Sequence, residues 1–238
     1  MRIDVYPTPD SLVGDLYGKT VIVIDLLRAT TSITTAVENG CRMVVPVVSV
    51  EEALICAEKS DKDEVLLCGE RGGVLIEGFD LANSPLEYSV DRVLDKVVIT
   101  TTTNGTIAIN AAKGAKSVII ACLRNAAFAA KAASELESDV VIICAGTQKK
   151  YSMDDILCAG AIVHHLKNLG EYGLCDLSIT AQKLYEEAQG DIDKALLGTL
   201  HYEKMRALGF YDDLKFCFEQ DVCDTVPVFV DGAIVKMR

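Results

Sequence analysis

The stretch Thr20-Val-Ile-Val-Ile-Asp25-Leu-Leu-Arg28-Ala-Thr-Thr-Ser-Ile-Thr-Thr-Ala-Val-Glu-Asn39-Gly40 decides the fold. Its first half is a short unbroken apolar run, which predicts a strand at about Val21–Leu26 buried on both faces. Its second half predicts a helix over Thr30–Asn39 that stops at Gly40, where a left-handed C′ residue is expected. Short Val/Ile-rich runs go on alternating with longer Ala-rich runs as far as Ala145, without an internal sequence repeat. Further strands are expected at about Met43–Val47, Val65–Cys68, Val97–Thr101, Ser117–Ala121 and Val140–Ala145, and helices at about Val50–Lys59, Gly105–Ala112, Asn125–Leu136 and Asp154–Asn168. Alternating βα units build a mostly parallel or mixed sheet with helices on both faces, a three-layer α/β/α architecture. After Gly170 the pattern turns helical and charged over Ser178–Phe218, and two last strands are expected near Val226–Val230 and Ile234–Met237. The chain thus reads as a single α/β domain over 1–238, with a helical cap or extension at about 171–220.

The 238 residues, 50% apolar, suffice for one substantial core. A formal charge of -12 argues against nucleic acids and anionic membranes as partners and leaves a small molecule as the expected ligand. A small anionic ligand would need the field reversed locally, which draws notice to Arg28, Arg71 and Arg124 beside Gly-rich or helix-opening loops. The nine cysteines are scattered singly through apolar runs, with no C-x-x-C pair and no C-x5-R phosphatase spacing, so they are expected to be reduced core residues. Asp4 interrupts any signal-peptide pattern and no apolar run approaches a membrane span, so a cytoplasmic location is expected. Homo-oligomerisation is left open.

In an open parallel sheet, ligands bind beyond the carboxyl ends of the strands. Four such ends are unusually polar. Asp25-Leu-Leu-Arg28-Ala-Thr30-Thr31-Ser32 offers a carboxylate for a hard cation and a helix N-terminus for an anion, against the plainer reading of a Thr30 or Thr31 N-cap and an Asp25–Arg28 ion pair. Gly69-Glu70-Arg71-Gly72-Gly73 opens what reads as a long structureless segment to Pro85, passing Gly78-Phe-Asp80-Leu-Ala-Asn83-Ser-Pro85. There Glu70 is a candidate metal ligand and Arg71 an anion grip, unless both are simply solvated. Thr100-Thr-Thr-Thr103-Asn104-Gly105-Thr106 suits a backbone nest for phosphate, although threonine is also a common strand residue. Cys144-Ala-Gly-Thr147 through Ser152-Met-Asp154-Asp155 sets two acids at a helix start, where capping by Ser152 and Asp155 is the simpler role.

Other features are set aside. His164, His165 and His201 have no metal-ligand spacing and are read as surface or core residues. Asp25 lacks a second Asp two positions later, since Leu27 stands there. Dinucleotide, P-loop and α/β-hydrolase motifs are absent.

Taken in order, Val23-Ile-Asp25-Leu-Leu-Arg28-Ala-Thr-Thr31, Gly69-Glu-Arg-Gly-Gly73, Gly78-Phe-Asp80-Leu-Ala-Asn83-Ser-Pro85, Thr100-Thr-Thr-Thr-Asn104-Gly105-Thr and Asp154-Asp155-Ile-Leu-Cys158-Ala-Gly160 resemble the magnesium-dependent 2-phosphosulfolactate phosphatase family. The resemblance implies hydrolysis of 2-phospho-3-sulfolactate to 3-sulfolactate and phosphate, a step in coenzyme M biosynthesis, on a three-layer α/β/α fold. One departure is that the family pattern opens the later helix with Glu-Asp, where this chain has Asp154-Asp155.

Residues and resemblance together suggest Mg2+ held by Asp25, Glu70 and one of Asp154 or Asp155, with Asp25, Arg28 and Arg71 as the catalytic candidates. The ester would be bound among Thr30, Thr31, Gly72, Gly73, Asn83, Thr102, Thr103, Asn104, Gly105, Arg124 and Asn125. Whether Asp25 binds metal or attacks phosphorus stays open. Two rivals remain: a magnesium-dependent lyase or phosphatase of another phosphorylated hydroxy acid, and a non-catalytic sensor of an anionic metabolite.

Overall fold

The computed structural model describes residues 1–59 and 62–237. In chain order its elements are β1 (Arg2–Tyr6), β2 (Thr20–Ile24), α1 (Ala29–Glu38), β3 (Met43–Pro46), α2 (Val50–Glu58), β4 (Val65–Arg71), β5 (Val74–Leu75), α3 (Val90–Val93), β6 (Val97–Thr101), α4 (Gly105–Ala111), β7 (Ser117–Ala121), α5 (Ala126–Glu135), β8 (Val140–Cys144), α6 (Met153–Leu169), β9 (Gly173–Leu174), α7 (Asp176–Ala188), α8 (Ile192–Leu196), α9 (Leu200–Ala207), α10 (Tyr211–Cys217), β10 (Pro227–Val230) and β11 (Ala233–Lys236). The strands form one mixed sheet, mostly parallel, in the order β5-β4-β6-β3-β11-β10-β7-β2-β8-β1-β9.

Strand β2 shows why this is a three-layer fold. Alternate side chains of a strand point to opposite faces. Ile22 and Ile24 join a core with Ala129, Ala130, Ile156 and Leu157 of α5 and α6. Val21 and Val23 join another with Ile33 and Ala36 of α1 and Ala108 and Ile109 of α4. Helix α1 is rich in β-branched residues, which favour helix only weakly, yet Ala29 through Val37 are all buried. Tertiary packing carries it, with the Thr31 and Thr35 hydroxyls donating back to the carbonyls of Leu26 and Thr31.

The terminal hairpin lies in the middle of the sheet. Val228 of β10 stands opposite Ile119 of β7, and Ile234 of β11 opposite Val44 of β3, both antiparallel. It joins two parallel groups, β4-β6-β3 and β7-β2-β8-β1.

Helix α7 packs on α6 at a close crossing: a Cβ added to Gly160 would stand 2.0 Å from the Ala181 carbonyl oxygen, so only glycine fits. The expected structureless run from Gly69 to Pro85 is corrected: β4 continues through Arg71 and pairs with β5, so that Glu70 faces Leu75. Strands β1, β5 and β9 are additions to the sequence reading. The last two are short, and β1 has an alternating burial that a polar start obscures.

Candidate active site

At the carboxyl end of β2 the chain turns sharply into α1, and Asp25 organises the turn. Its backbone N–H donates to Thr30 Oγ1 at 3.0 Å, the Thr30 hydroxyl donates to the Asp25 carbonyl at 2.9 Å, and Asp25 Oδ1 accepts from the Ala29 N–H at 3.2 Å. Among the described residues nothing donates to Oδ2, and a Cβ on Gly105 would stand 2.8 Å from that oxygen, so the missing side chain at 105 leaves the carboxylate accessible. The first-turn amides that the sequence offered to an anion are thus partly taken by Asp25, and Thr30 and Thr31 serve the turn rather than lining the cavity beside it.

The two later acids have separate tasks. Asp155 accepts the Leu26 N–H at 2.9 Å on one oxygen and the Gly146 N–H at 2.8 Å on the other, tying the end of β2 to the loop after β8. Asp154 accepts from the Ser152 hydroxyl at 2.5 Å and faces His201 Nδ1 at 3.2 Å. Neither Ser152 nor Asp155 caps α6: Ser152 holds the N-cap position, but its side chain accepts no backbone N–H of the first turn and its hydroxyl donates to the Asp154 carboxylate instead.

Glu70 clamps two loops. Its Oε2 accepts the Gly73 N–H at 2.7 Å, and its Oε1 accepts both the backbone N–H and the hydroxyl of Thr103 at 2.8 Å. Arg71 turns away from the cavity, donating to the Glu70 carbonyl and to Thr101. Arg28, buried, donates to Asp213 at 2.5 Å and to the Gly73 carbonyl at 2.8 Å, with its guanidinium 4.0 Å from the Phe210 ring centroid. Its partner is therefore Asp213 of α10 and not Asp25. Ser84 holds the other oxygen of Asp213 at 2.7 Å.

These parts enclose a cavity of about 210 Å³. Of the residues expected from sequence, Asp25, Arg28, Glu70, Gly72, Gly73, Asn83, Thr102, Thr103 and Asn104 line it, and Gly105 borders it through Asp25. Thr30, Thr31, Arg71, Asp154 and Asp155 stand behind the lining. Arg124 and Asn125 are not brought to it. The Arg124 guanidinium is held by Glu219 and Glu38 over the Phe216 ring, and Asn125 is spent on the backbone of Cys122, Ile120 and Thr225. A strand-end loop that looks like an anion grip thus serves to fasten the C-terminal segment.

The lining also includes residues outside the candidates that the sequence offers: Leu27, Thr147, Gln148, His201, Lys204 and Met205. His201 has no ligand spacing in the sequence because its partner, Asp154, is far away along the chain. His201, Lys204 and Met205 fall at i, i+3 and i+4 of α9, one helical face, which is the signal that was available. Gln148 and Lys149 both adopt positive φ at a two-residue hairpin tip, a conformation that long side chains rarely take.

Burial and like charges act together on the acids. Burial, reinforced by Asp154 and Glu70, pushes the Asp25 carboxyl up to about 6 against the pull of His201. Burial, with Asp154 and Asp25 nearby, holds Asp155 well above the usual carboxylate range. Burial alone would raise Asp154 too, but the charge and hydrogen bond of His201 and the Ser152 hydroxyl bring it below its ordinary value. Burial opposes protonation of His201, yet Asp154 and Asp25 outweigh it and lift the imidazole above its ordinary value.

Among the described residues no group of three or more His, Cys, Asp or Glu side chains forms a ready metal cage. The oxygens of Glu70, Asp154 and Asp155 already accept hydrogen bonds. Asp25 alone of the four acids keeps an oxygen free. That donor set fits magnesium in the form it takes with phosphate ligands, one or two carboxylates plus several waters and the phosphate oxygens, and does not fit an all-protein site.

A family model described as 2-phosphosulpholactate phosphatase matches residues 6–232. The chain is 44% identical over 239 residues to a "Probable 2-phosphosulfolactate phosphatase" of Clostridium botulinum (strain Alaska E43 / Type E3), with all of both chains covered. It is 43% identical over 235 residues to a protein of the same description from Caldanaerobacter subterraneus subsp. tengcongensis, covering 98% of each. With nearly the whole sequence matched in both comparisons, the chain belongs to the 2-phosphosulfolactate phosphatase family.

Proposed function

We propose that this protein is a magnesium-dependent phosphoric monoester hydrolase that converts 2-phospho-3-sulfolactate to 3-sulfolactate and phosphate, supplying the sulfolactate used in routes such as coenzyme M biosynthesis. The observation that carries the reading is the meeting, in one cavity, of a free Asp25 oxygen, the Thr102–Asn104 loop and a His201 imidazole held by buried Asp154. The family membership supplies the ester.

Asp25 is the anchor for magnesium, and a bound ion would neutralise charge on the phosphate oxygens. The chain's own residues do the rest. Thr102, Thr103 and Asn104 border the space for the phosphoryl group, and Glu70 fixes that loop against Gly73. Arg28, with two of its five donors committed, retains others for phosphate oxygens. The leaving group is a secondary alkoxide, which needs a proton. His201 holds its Nδ1 toward Asp154, leaving Nε2 to donate that proton as general acid.

The test is phosphate release from 2-phospho-3-sulfolactate and from other phosphorylated hydroxy acids, with magnesium and with EDTA. Magnesium-dependent release that favours the sulfonated ester supports the reading. Release from none of the esters rejects it, and conversion without phosphate release would indicate the lyase. A covalent phosphoryl group trapped on the wild type and absent from Asp25→Asn would assign Asp25 as the nucleophile instead.

A further inference from the structure

Charge balance within the cavity singles out one residue. The lining contains the carboxylates of Asp25 and Glu70 and the cations Arg28, His201 and Lys204. Arg28 is matched by Asp213 and His201 by Asp154. Among the described residues, no carboxylate lies within ion-pair distance of Lys204, although the chain carries a net charge of -12. Lys204 shares its helical face with His201 and Met205, which turns the exposed ammonium stem toward the same space. Its stem also lies beside the Gly-rich loop: a Cβ on Gly73 would stand 3.9 Å from Lys204 Cε, an ordinary contact distance.

We propose that Lys204 is a specificity-determining residue that pairs with a second anionic group of the substrate, a carboxylate or sulfonate, while the phosphate occupies the Asp25 and Thr102–Asn104 end. This rests on the phosphatase reading for the identity of the ester, but the charge pairing is tested independently of turnover. A substrate anchored at the Asp25 end would hold its second acid in a fixed place beside this exposed ammonium, and the length of the lysine suits a group set apart from the reacting phosphorus.

Wild type, Lys204→Met and Lys204→Arg are compared on three esters: 2-phospho-3-sulfolactate, phospholactate without the sulfonate, and isopropyl phosphate without either acid. In parallel, binding of 3-sulfolactate and of inorganic phosphate is measured by calorimetry. Lys204→Met is expected to raise KM for the sulfonated ester about tenfold or more with kcat within about threefold, and Lys204→Arg to restore most of it. The loss on phospholactate, relative to the sulfonated ester, tells which acid Lys204 reads. Affinity for 3-sulfolactate should fall in Lys204→Met by a similar factor, with that for phosphate within about twofold. Equal losses for 3-sulfolactate and phosphate, unchanged 3-sulfolactate affinity, or a wild type that does not bind 3-sulfolactate would each overturn the proposal. Wild type that binds 3-sulfolactate through Lys204 yet releases phosphate from no ester would remove the phosphatase reading and leave the pairing standing.

Discussion

Asp25 is held in a conflict that the protein does not relieve. Its carboxyl is pushed to about 6 against an ordinary 3.8, so the folded state takes up a proton between those values that the unfolded state has released. Stability from this source is complete below about pH 4 and is lost as pH rises through about 6, leaving a cost of up to about 3 kcal/mol at pH 8. Asp25→Asn should therefore unfold at higher denaturant in EDTA at pH 8, with little gain at pH 4, while its turnover falls about 100-fold or more. Equal midpoints at pH 8, or wild-type turnover at saturating magnesium, would remove Asp25 from this role. His201 governs the alkaline limb of activity. Since its imidazole is lifted above the ordinary value, kcat/KM should decline on the alkaline side as the general acid loses its proton. Asp154→Asn, which withdraws the charge that holds that proton, should move the alkaline limb to lower pH. A limb that stays in place in Asp154→Asn would show that another group titrates there.

At the scale of elements, the site depends on how loops are tied. Glu70 joins the β4–β5 turn to the loop entering α4 through three hydrogen bonds. Glu70→Gln keeps the shape but loses the charge that strengthens them, so KM should rise and kcat fall together, by about 10-fold in kcat/KM. Stopped turnover with an unchanged KM would instead favour direct metal binding by Glu70. Farther off, Gly160→Ala should cost about 2–3 kcal/mol in denaturant unfolding, because the Ala181 carbonyl leaves no room for a methyl group and α6 must move off α7. Most strands and helices of the core were legible in the sequence, because continuous Val/Ile runs and the helices that follow them are dictated by burial. The turn chemistry was less so. Asp155 looks like a cap and is a tie between strand ends, and Arg124 looks like an anion grip and is a fastener, because their partners lie on elements distant in sequence.

Across the whole molecule, the C-terminal hairpin joins the two parallel halves of the sheet. Ile234→Asp would put an unpaired charge where β11 meets β3, and no cooperatively folded protein is expected by circular dichroism at neutral pH. A folded, active Ile234→Asp protein would mean that the halves associate without the hairpin. The helices after α7 bring Asp213 to Arg28 and His201 to Asp154, so the cavity is completed only when they pack against the sheet domain.

By itself the sequence determined the α/β class, the four polar strand ends and the family, since each depends on local periodicity or on short motifs whose order is preserved along the chain. It marked Asp25 and Glu70 as worth weighing for the same reason. Only the tertiary structure decided which acids keep a free oxygen, that His201 and Lys204 complete the cavity, and that the last strands stand in the middle of the sheet. Those outcomes depend on pairings such as Asp154 with His201 and Val228 with Ile119, which long-range packing selects and no local pattern encodes.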